Sequence, residues 1–176
     1  MAMLLRIGDK LINRQKIVRL LDAILEMRVR GLSQQEVATR IGIDRSVVSR
    51  LETLGEVRKG KRIALVGFPL ENCAELRQMA RQEGIEYCLV MTETERWNFV
   101  LHKTGVELFE EIMRIITNLR QFDIVIILAS NKRIQLVEAL LDKEVIGYEI
   151  GESPIAEDKY VSLDSVRSIL AHLRDD

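Results

Sequence analysis

The stretch GLSQQEVATRIGIDRSVVSRLETLG, residues 31–55, holds two short amphipathic patterns on either side of a single glycine. Ser33 begins SQQE, a capping box in which the Ser33 and Glu36 side chains satisfy each other's free helix-start amides. Gly42 can adopt the left-handed backbone that a sharp turn requires. Asp44 is placed to cap the second helix. The stretch therefore predicts a helix, a tight turn and a second helix.

The residues before this stretch predict a further helix, from Asp9 to about Arg30. Apolar residues recur there at helical spacing, which predicts one buried face and one basic face. The predicted buried set is Leu11, Ile17, Leu20, Leu21, Ile24 and Met27. After the second helix of the 31–55 stretch, which is the third along the chain, residues 55–62 (GEVRKGKR) have the composition of a charged hinge.

The turn has the spacing of a known DNA-binding motif. Counted from Gln34, a small residue, Ala38, falls fifth, where two helices approach closely, and Gly42 falls ninth, at the turn. Apolar residues fill the positions that must be buried to fix the crossing angle: Val37, Ile41, Ile43, Val48 and Leu51. On these residues, the region from about residue 10 to 57 resembles the Cro/repressor-like (XRE-type) helix-turn-helix family. The resemblance implies double-stranded DNA as the partner.

With Val48 and Leu51 turned inward, the helical period turns one polar face outward. We call this set the recognition face: Arg45, Ser46, Ser49, Arg50 and Thr53. In a helix-turn-helix this face enters the major groove, where a guanidinium can bond both O6 and N7 of guanine. The resemblance further implies that Gln34 binds a phosphate. Lys59, Lys61 and Arg62 are expected to add backbone contacts that weaken with salt.

Charge separates the chain into two parts. Residues 1–62 carry 14 Lys and Arg against 7 Asp and Glu, whereas residues 63–176 carry 12 against 20, within a net charge of −1. A basic first part suggests a polyanionic partner for that part alone. We therefore expect a DNA-binding domain at 1–57, a hinge at 58–62 and a second domain at 63–176.

The second part alternates apolar runs with helical patterns. The strongest runs are 62–68 (RIALVGF) and 123–130 (DIVIILAS), and weaker ones lie at 86–92 and 144–150. The helical patterns between and after them lie at about 71–83, 104–121, 131–142 and 163–174. Strands buried on both faces and alternating with helices predict a parallel sheet. The expected fold class is α/β, an all-α helix-turn-helix domain followed by a small Rossmann-like domain.

Ligands of open parallel sheets bind beyond the carboxyl ends of the strands. Ser130 and Asn131 open a helix there whose amides, with Lys132 and Arg133, could hold a small anionic effector, although an ordinary helix cap explains them equally well. Gly67 lacks the companions of a dinucleotide-binding loop, so no cofactor is expected. Trp97 follows an acidic loop and is a candidate for a pocket, a dimer contact or core packing.

The sequence offers little for catalysis or metal binding. His102 and His172 have no metal-ligand spacing, and no nucleophile or nucleotide-binding motif is present. Cys73 and Cys88 are expected to be buried thiols, the alternative being a Cys73 activated by a lowered pKa at a helix start. No apolar run is long enough to predict a membrane span, and the N-terminal apolar patch is too short for a signal peptide. We expect a cytoplasmic protein that is not an enzyme.

These patterns favour a sequence-specific transcriptional regulator. Its first domain would bind the major groove, and its second would dimerise or sense a small ligand. One recognition helix contacts only a few base pairs, so a homodimer or higher homo-oligomer is expected. Two alternatives stay open: a protein-interaction module that uses the helix-turn-helix surface, and a small enzyme with a DNA-targeting domain.

Overall fold

The computed structural model describes residues 4–56 and 62–174. The chain divides into two compact units, Met1–Glu56 and Val57–Asp176. Except for Arg62, the predicted hinge at 58–62 lies outside the described residues.

The first unit begins with a β-hairpin. Strands β1 (Leu4–Ile7) and β2 (Lys10–Asn13) pair antiparallel, with Leu5 opposite Ile12. Gly8 has a φ of 57°, as the tight turn between the strands requires. The helix predicted from Asp9 starts later, at Arg14, because residues 10–13 form a strand. Asn13 caps this helix by accepting a hydrogen bond from the Lys16 amide at 3.1 Å.

Three helices follow the hairpin: α1 (Arg14–Val29), α2 (Gln34–Ile41) and α3 (Arg45–Gly55). Their core contains four buried residues, Ile24, Val37, Ala38 and Val48. Ile17 and Leu20, predicted to face this core, are exposed, as is Leu11 on β2. Residues 14–20 of α1 are all exposed, and its half-buried and buried residues begin at Leu21.

The predicted capping box at the start of α2 is present. The Glu36 amide donates to the Ser33 hydroxyl at 3.2 Å, and the Ser33 amide donates to the Glu36 carboxylate at 2.8 Å. Both bonds satisfy helix-start amides that otherwise lack a partner within the helix. These bonds lower the pKa of Glu36 below its ordinary value.

Loss of this cap gives a first testable prediction. Ser33→Ala is expected to lower the free energy of unfolding of the first unit by about 1 kcal/mol, because the Glu36 amide loses its acceptor. Chemical denaturation followed by circular dichroism measures the change. Ser33→Asp supplies another side-chain acceptor and should stay close to the wild type. Equal losses in both variants would contradict a capping role.

The second unit is a three-layer α/β structure. Its strands are β3 (Ile63–Gly67), β4 (Tyr87–Val90), β5 (Ile124–Ala129) and β6 (Glu144–Glu149), and all neighbouring pairs are parallel. The strand order is β4-β3-β5-β6, so the chain crosses over β3 between β4 and β5. The sheet is Rossmann-like in kind, and the predicted fold class, helical region first and parallel α/β sheet second, is confirmed.

Helices cover both faces of the sheet. They are α4 (Cys73–Gln82), α5 (Glu93–Leu101), α6 (Gly105–Leu119), α7 (Asn131–Leu140) and α8 (Leu163–Arg174). Leu65 and Ile126 face a core shared with α4 and α8. Val66 and Val125 point to the opposite face, where α6 and α7 pack. This alternation is the two-residue period of a strand, and it explains why β3 and β5 are apolar throughout.

Helix α5 was not predicted. Residues 93–101 form a regular helix in which Thr92 is the cap: the Glu95 amide donates to the Thr92 hydroxyl at 3.1 Å, and the Thr92 amide donates to Glu95 at 2.9 Å. The sequence suggested an acidic loop here. The segment instead forms a second capping box, at Thr92, and the helix that this box starts.

Candidate functional site

The turn between α2 and α3 has the geometry that the sequence predicts. Gly42 ends α2 with a φ of 77°, a conformation that side-chain-bearing residues rarely adopt. Its amide donates to the Ala38 carbonyl at 2.9 Å, and the next amide, that of Ile43, donates to the same carbonyl at 3.0 Å. Ala38 itself is buried. Asp44 then caps α3 by accepting from the Ser46 amide at 2.7 Å.

Four of the five residues of the recognition face are exposed on α3: Arg45, Ser46, Arg50 and Thr53. Ser49, predicted to project outward with them, is half-buried instead. The Thr53 hydroxyl donates to the Ser49 carbonyl at 3.0 Å, so its oxygen is left to act as an acceptor. The two arginines are therefore the strongest donors of this surface.

A network of hydrogen-bonded side chains links α3, which carries the recognition face, to α1 and α2. The Glu52 carboxylate on α3 binds the Arg28 guanidinium, which also donates to the Leu32 carbonyl. Glu52 accepts from the Gln34 side-chain amide at 2.7 Å, and the Gln34 carbonyl oxygen accepts from Arg45 at 3.4 Å. These bonds join all three helices of the unit.

This network changes the expectation for Gln34. Its side chain is half-buried and occupied by Glu52 and Arg45, whereas the family resemblance implies a phosphate contact. Because the Gln34 Nε2 atom has a second hydrogen, the phosphate contact stays a prediction beside these bonds. Gln34 also accepts from Arg45, which links the start of α2 to the start of α3.

The Glu52 network predicts a pH dependence. The hydrogen bonds from Arg28 and Gln34 lower the pKa of Glu52 below its ordinary value of 4.5. Because the folded pKa is the lower one, these bonds contribute fully above pH 4.5 and are lost as the pH falls through the folded value. Thermal unfolding between pH 7 and pH 3 should show a steeper acid loss for wild type than for Glu52→Gln. Parallel profiles for the two proteins would contradict the network.

Sequence reasoning did not identify two residues of this surface. Val47 is 44% exposed beside Ser46, and an apolar side chain there is suited to contact a thymine methyl group. Glu52 was missed because its partners lie 18 and 24 residues away, which no local pattern predicts.

Of the three basic residues predicted to contact the DNA backbone after α3, Arg62 is the one within the described ranges. Lys59 and Lys61 lie outside the described residues. The Arg62 guanidinium is engaged in the second unit, where it pairs with Glu86 at 3.2 Å, donates to the Gln121 carbonyl at 2.9 Å and lies 5.0 Å from the centre of the Phe122 ring. A phosphate contact by Arg62 would have to compete with these bonds.

A comparison with known families addresses the surface just described. Residues 24–55 match the family model described as Helix-turn-helix. This segment is similar to that family, and its fold has the helix, turn and helix described above. The match supports DNA binding and transcription regulation as the role of the first unit. No curated protein and no solved structure matches the chain significantly.

The strand ends of the second unit lie apart from the helix-turn-helix domain in sequence, and the amides of the anion site predicted there have acceptors within the unit. At the start of α7 the Asn131 amide donates to the Gly151 carbonyl at 3.3 Å, and the Arg133 amide donates to Ser130 at 3.0 Å. The Asn131 side chain accepts from the Lys132 and Ser153 amides. The three amides thus have acceptors within the second unit, the Gly151 carbonyl, the Asn131 side chain and the Ser130 carbonyl, which an anion would have to displace.

The remaining strand-end candidates have separate environments. Ser130 is buried and its hydroxyl lies 2.7 Å from that of Ser153. A Cβ on Gly67 would lie 2.7 Å from Leu70 and 2.9 Å from Leu128, so the glycine serves packing. Lys132 is exposed.

Trp97 and Arg133 are the two candidates that take part in cation–π contacts. Trp97 is 47% exposed on α5, and its indole nitrogen donates to Glu93 at 2.9 Å. The Arg96 guanidinium lies 4.7 Å from the centre of the indole ring. Arg133 lies 5.1 Å from the centre of the Phe68 ring. Core packing is thus excluded for Trp97.

The buried thiol does not have the properties of a redox sensor. Burial raises the pKa of Cys73 to about 11, and its sulfur lies 3.1 Å from the Leu70 carbonyl. The possibility of a lowered pKa at the start of α4 is therefore wrong, because desolvation outweighs the helix start and Arg77.

Among the described residues, the structure has neither a metal-binding cluster nor a membrane-spanning helix. Within 4–56 and 62–174, no group of three or more His, Cys, Asp and Glu side chains is arranged to hold a metal ion. In the same ranges, every helix is too short or too polar to cross a bilayer.

Proposed function

We propose that this chain is a sequence-specific DNA-binding transcriptional regulator of the Cro/repressor-like type, acting in the cytoplasm. The observation that carries the proposal is the pair of exposed arginines on α3, Arg45 and Arg50, in a helix-turn-helix domain whose turn and core are complete. With α3 in the major groove, both guanidinium groups would reach guanine edges. Ser46, Thr53 and the partly covered Ser49 would contact neighbouring bases or phosphates.

Selection of binding sites from random duplexes tests the proposal. The full chain is expected to enrich one sequence, with two half-sites about one helical turn apart if two copies bind together. Affinity for the selected site should fall steeply with salt as phosphate-bound counterions are released. Absence of both an enriched sequence and salt-dependent binding would contradict the proposal and favour a protein-interaction role.

We propose a homodimer in which the second unit supplies the contact. The support is the uncovered apolar face of α6, where Val106 is 70% exposed and Phe109 is 64% exposed, with Met113 one turn further along. Apolar side chains clustered in this way on a helix surface are typical of protein interfaces.

Substitution on α6 tests the dimer. Phe109→Glu together with Met113→Glu is expected to convert a dimer into a monomer, since two buried charges would face their own copies across a symmetric interface. Sedimentation velocity measures the change. Glu110→Gln with Arg114→Gln, on the same helix, should leave the dimer intact. A dimer that persists after the Phe109 and Met113 substitutions would place the interface elsewhere.

A further inference from the structure

The second unit contains an apolar cavity between one face of its sheet and the helices α5, α6 and α7. Its volume is about 300 Å³. Residues from three strands and three helices line it, among them Val66, Leu89, Ile127, Phe99, Ile116 and Val137. Apart from Arg96, every described residue that lines the cavity is a valine, leucine, isoleucine, methionine or phenylalanine. Apolar walls of this kind are typical of small-molecule sites.

Arg96, the one charged residue among the described lining residues, already has its counter-charge. Its Nη2 and Nε atoms donate to the Glu93 carboxylate at 2.5 Å and 2.8 Å, and its guanidinium lies 4.7 Å from the centre of the Trp97 ring. A ligand inside the cavity would thus meet apolar side chains and a guanidinium that is already paired. A polar group buried there would lose its water with little compensation, which costs free energy.

The cavity is large for an unfilled space in a protein core. Interiors are close-packed, and voids larger than a water molecule are few. An engineered apolar cavity of about 150 Å³ stays free of water and binds benzene. The cavity of the second unit has about twice that volume, at the lower end of the range for small-molecule sites. Its size and walls therefore favour a neutral ligand of about ten carbon atoms over water.

The helices over the cavity are packed more loosely than α4 on the other face of the sheet. Four residues of α4 are buried: Cys73, Leu76, Met79 and Ala80. The structure describes α5 and α6 in full, and within them the one buried residue is Leu119, at the last position of α6. An apolar ligand would supply contacts that the inward side chains of these two helices lack, since burial of apolar surface is favourable.

We propose that the second unit binds one neutral, hydrocarbon-rich small molecule in this cavity, between the sheet and the inward side of α6. The inference goes beyond the proposed function, because it concerns ligand binding by the second unit and is tested without DNA. The rival occupant of apolar walls is a side chain from a second copy. The apolar residues proposed for the dimer contact, Val106, Phe109 and Met113, are not among those that line the cavity, so the two roles use separate residues.

Titration of the full chain into naphthalene, kept below its solubility in water, tests the proposal. Isothermal titration calorimetry is expected to show saturable binding of one naphthalene per chain. Naphthalene-2,6-dicarboxylate has the same rings with a charge at each end, so either orientation would bury a carboxylate. It should bind at least about tenfold more weakly. Equal binding of the two compounds would overturn the proposal. Absence of saturable naphthalene binding would also overturn it, and is the result expected if a second copy fills the cavity.

Nuclear magnetic resonance locates the bound naphthalene. Val66 is 5% exposed and Ile127 is 0% exposed, and both line the cavity. Nuclear Overhauser effects between the naphthalene ring protons and the methyl groups of these two residues are therefore expected. Naphthalene that binds without these contacts is bound elsewhere on the chain, which would contradict the proposal.

A substitution that fills the cavity provides a matched pair of variants. Ile116→Trp, on the inward side of α6, should weaken naphthalene binding at least about tenfold, because the indole occupies the space of the ligand. Arg114→Trp adds the same group at an exposed position of the same helix and should bind naphthalene like the wild type. Leu108→Trp, two turns earlier among the lining residues, replaces Ile116→Trp if circular dichroism shows that Ile116→Trp does not fold. Wild-type affinity in a folded cavity-filling variant would overturn the proposal.

Discussion

Replacement of Arg45 and Arg50 by alanine together is expected to lower affinity for a selected DNA site by at least about thirtyfold. Each bidentate arginine–guanine contact contributes about 1–3 kcal/mol of discrimination, so the loss of two corresponds to about 2 kcal/mol or more. Fluorescence anisotropy with the selected duplex and a scrambled duplex measures the effect. Affinity for the scrambled duplex should fall much less, since phosphate contacts made elsewhere on the domain remain.

The control for this prediction removes the same charge from another surface. Arg14 and Arg19 lie on the exposed side of α1, away from the turn. The Arg14→Ala, Arg19→Ala protein should keep its preference for the selected site. If both double variants lose that preference equally, net charge rather than the recognition face determines binding. Circular dichroism of both variants should match the wild type, because all four side chains are exposed.

Truncation of Ile24 is expected to destroy DNA binding without touching the recognition face. Ile24 is 1% exposed in the centre of the small core that α1 shares with α2 and α3. Ile→Ala at a buried site costs about 2–5 kcal/mol. A unit that ends at Glu56 has little stability to lose, since small domains bury a small fraction of their surface. The helix-turn-helix domain should unfold while the second unit stays folded.

Leu25 offers a matched control for Ile24. It is the next residue on α1, carries the same number of carbon atoms, and is 48% exposed. Leu25→Ala should therefore preserve both folding and DNA affinity. Two unfolding transitions in the wild type, of which only one shifts in Ile24→Ala, are expected by differential scanning calorimetry. A single transition that shifts as a whole would contradict independent unfolding of the units.

Most of the fold that the sequence predicts follows from signals between residues close together in the chain. The capping box at Ser33, the left-handed Gly42 and the cap at Asp44 involve neighbours within four residues, so the sequence contains all their partners. The buried strands β3 and β5 were evident because both faces are covered and every residue is apolar.

Two elements were missed although local signals existed. Gly8 and Asp9 between two apolar runs are a hairpin signal, but the helical spacing further along assigned Leu11 to α1. Thr92 and Glu95 have the spacing of a capping box, but the polar run around them suggested a loop. Helical spacing thus masked the turn signal at Gly8, and polar composition masked the cap signal at Thr92.

The functional candidates were harder to predict because their partners are distant in sequence. At the start of α7, the Asn131 amide donates to the Gly151 carbonyl and the Asn131 side chain accepts from the Ser153 amide, both about 20 residues later. No spacing rule brings these groups together, since tertiary packing alone does so.

A double-mutant cycle between protein and DNA tests the central claim most directly. Replacing a guanine of the selected site by 7-deazaguanine removes the N7 acceptor from the major groove and leaves base pairing intact. If Arg50 contacts that guanine, the modified base weakens wild-type binding but has little further effect on Arg50→Ala, so the two losses are not additive. Losses that add fully for both Arg45 and Arg50 at every guanine would contradict major-groove contact by this face of α3.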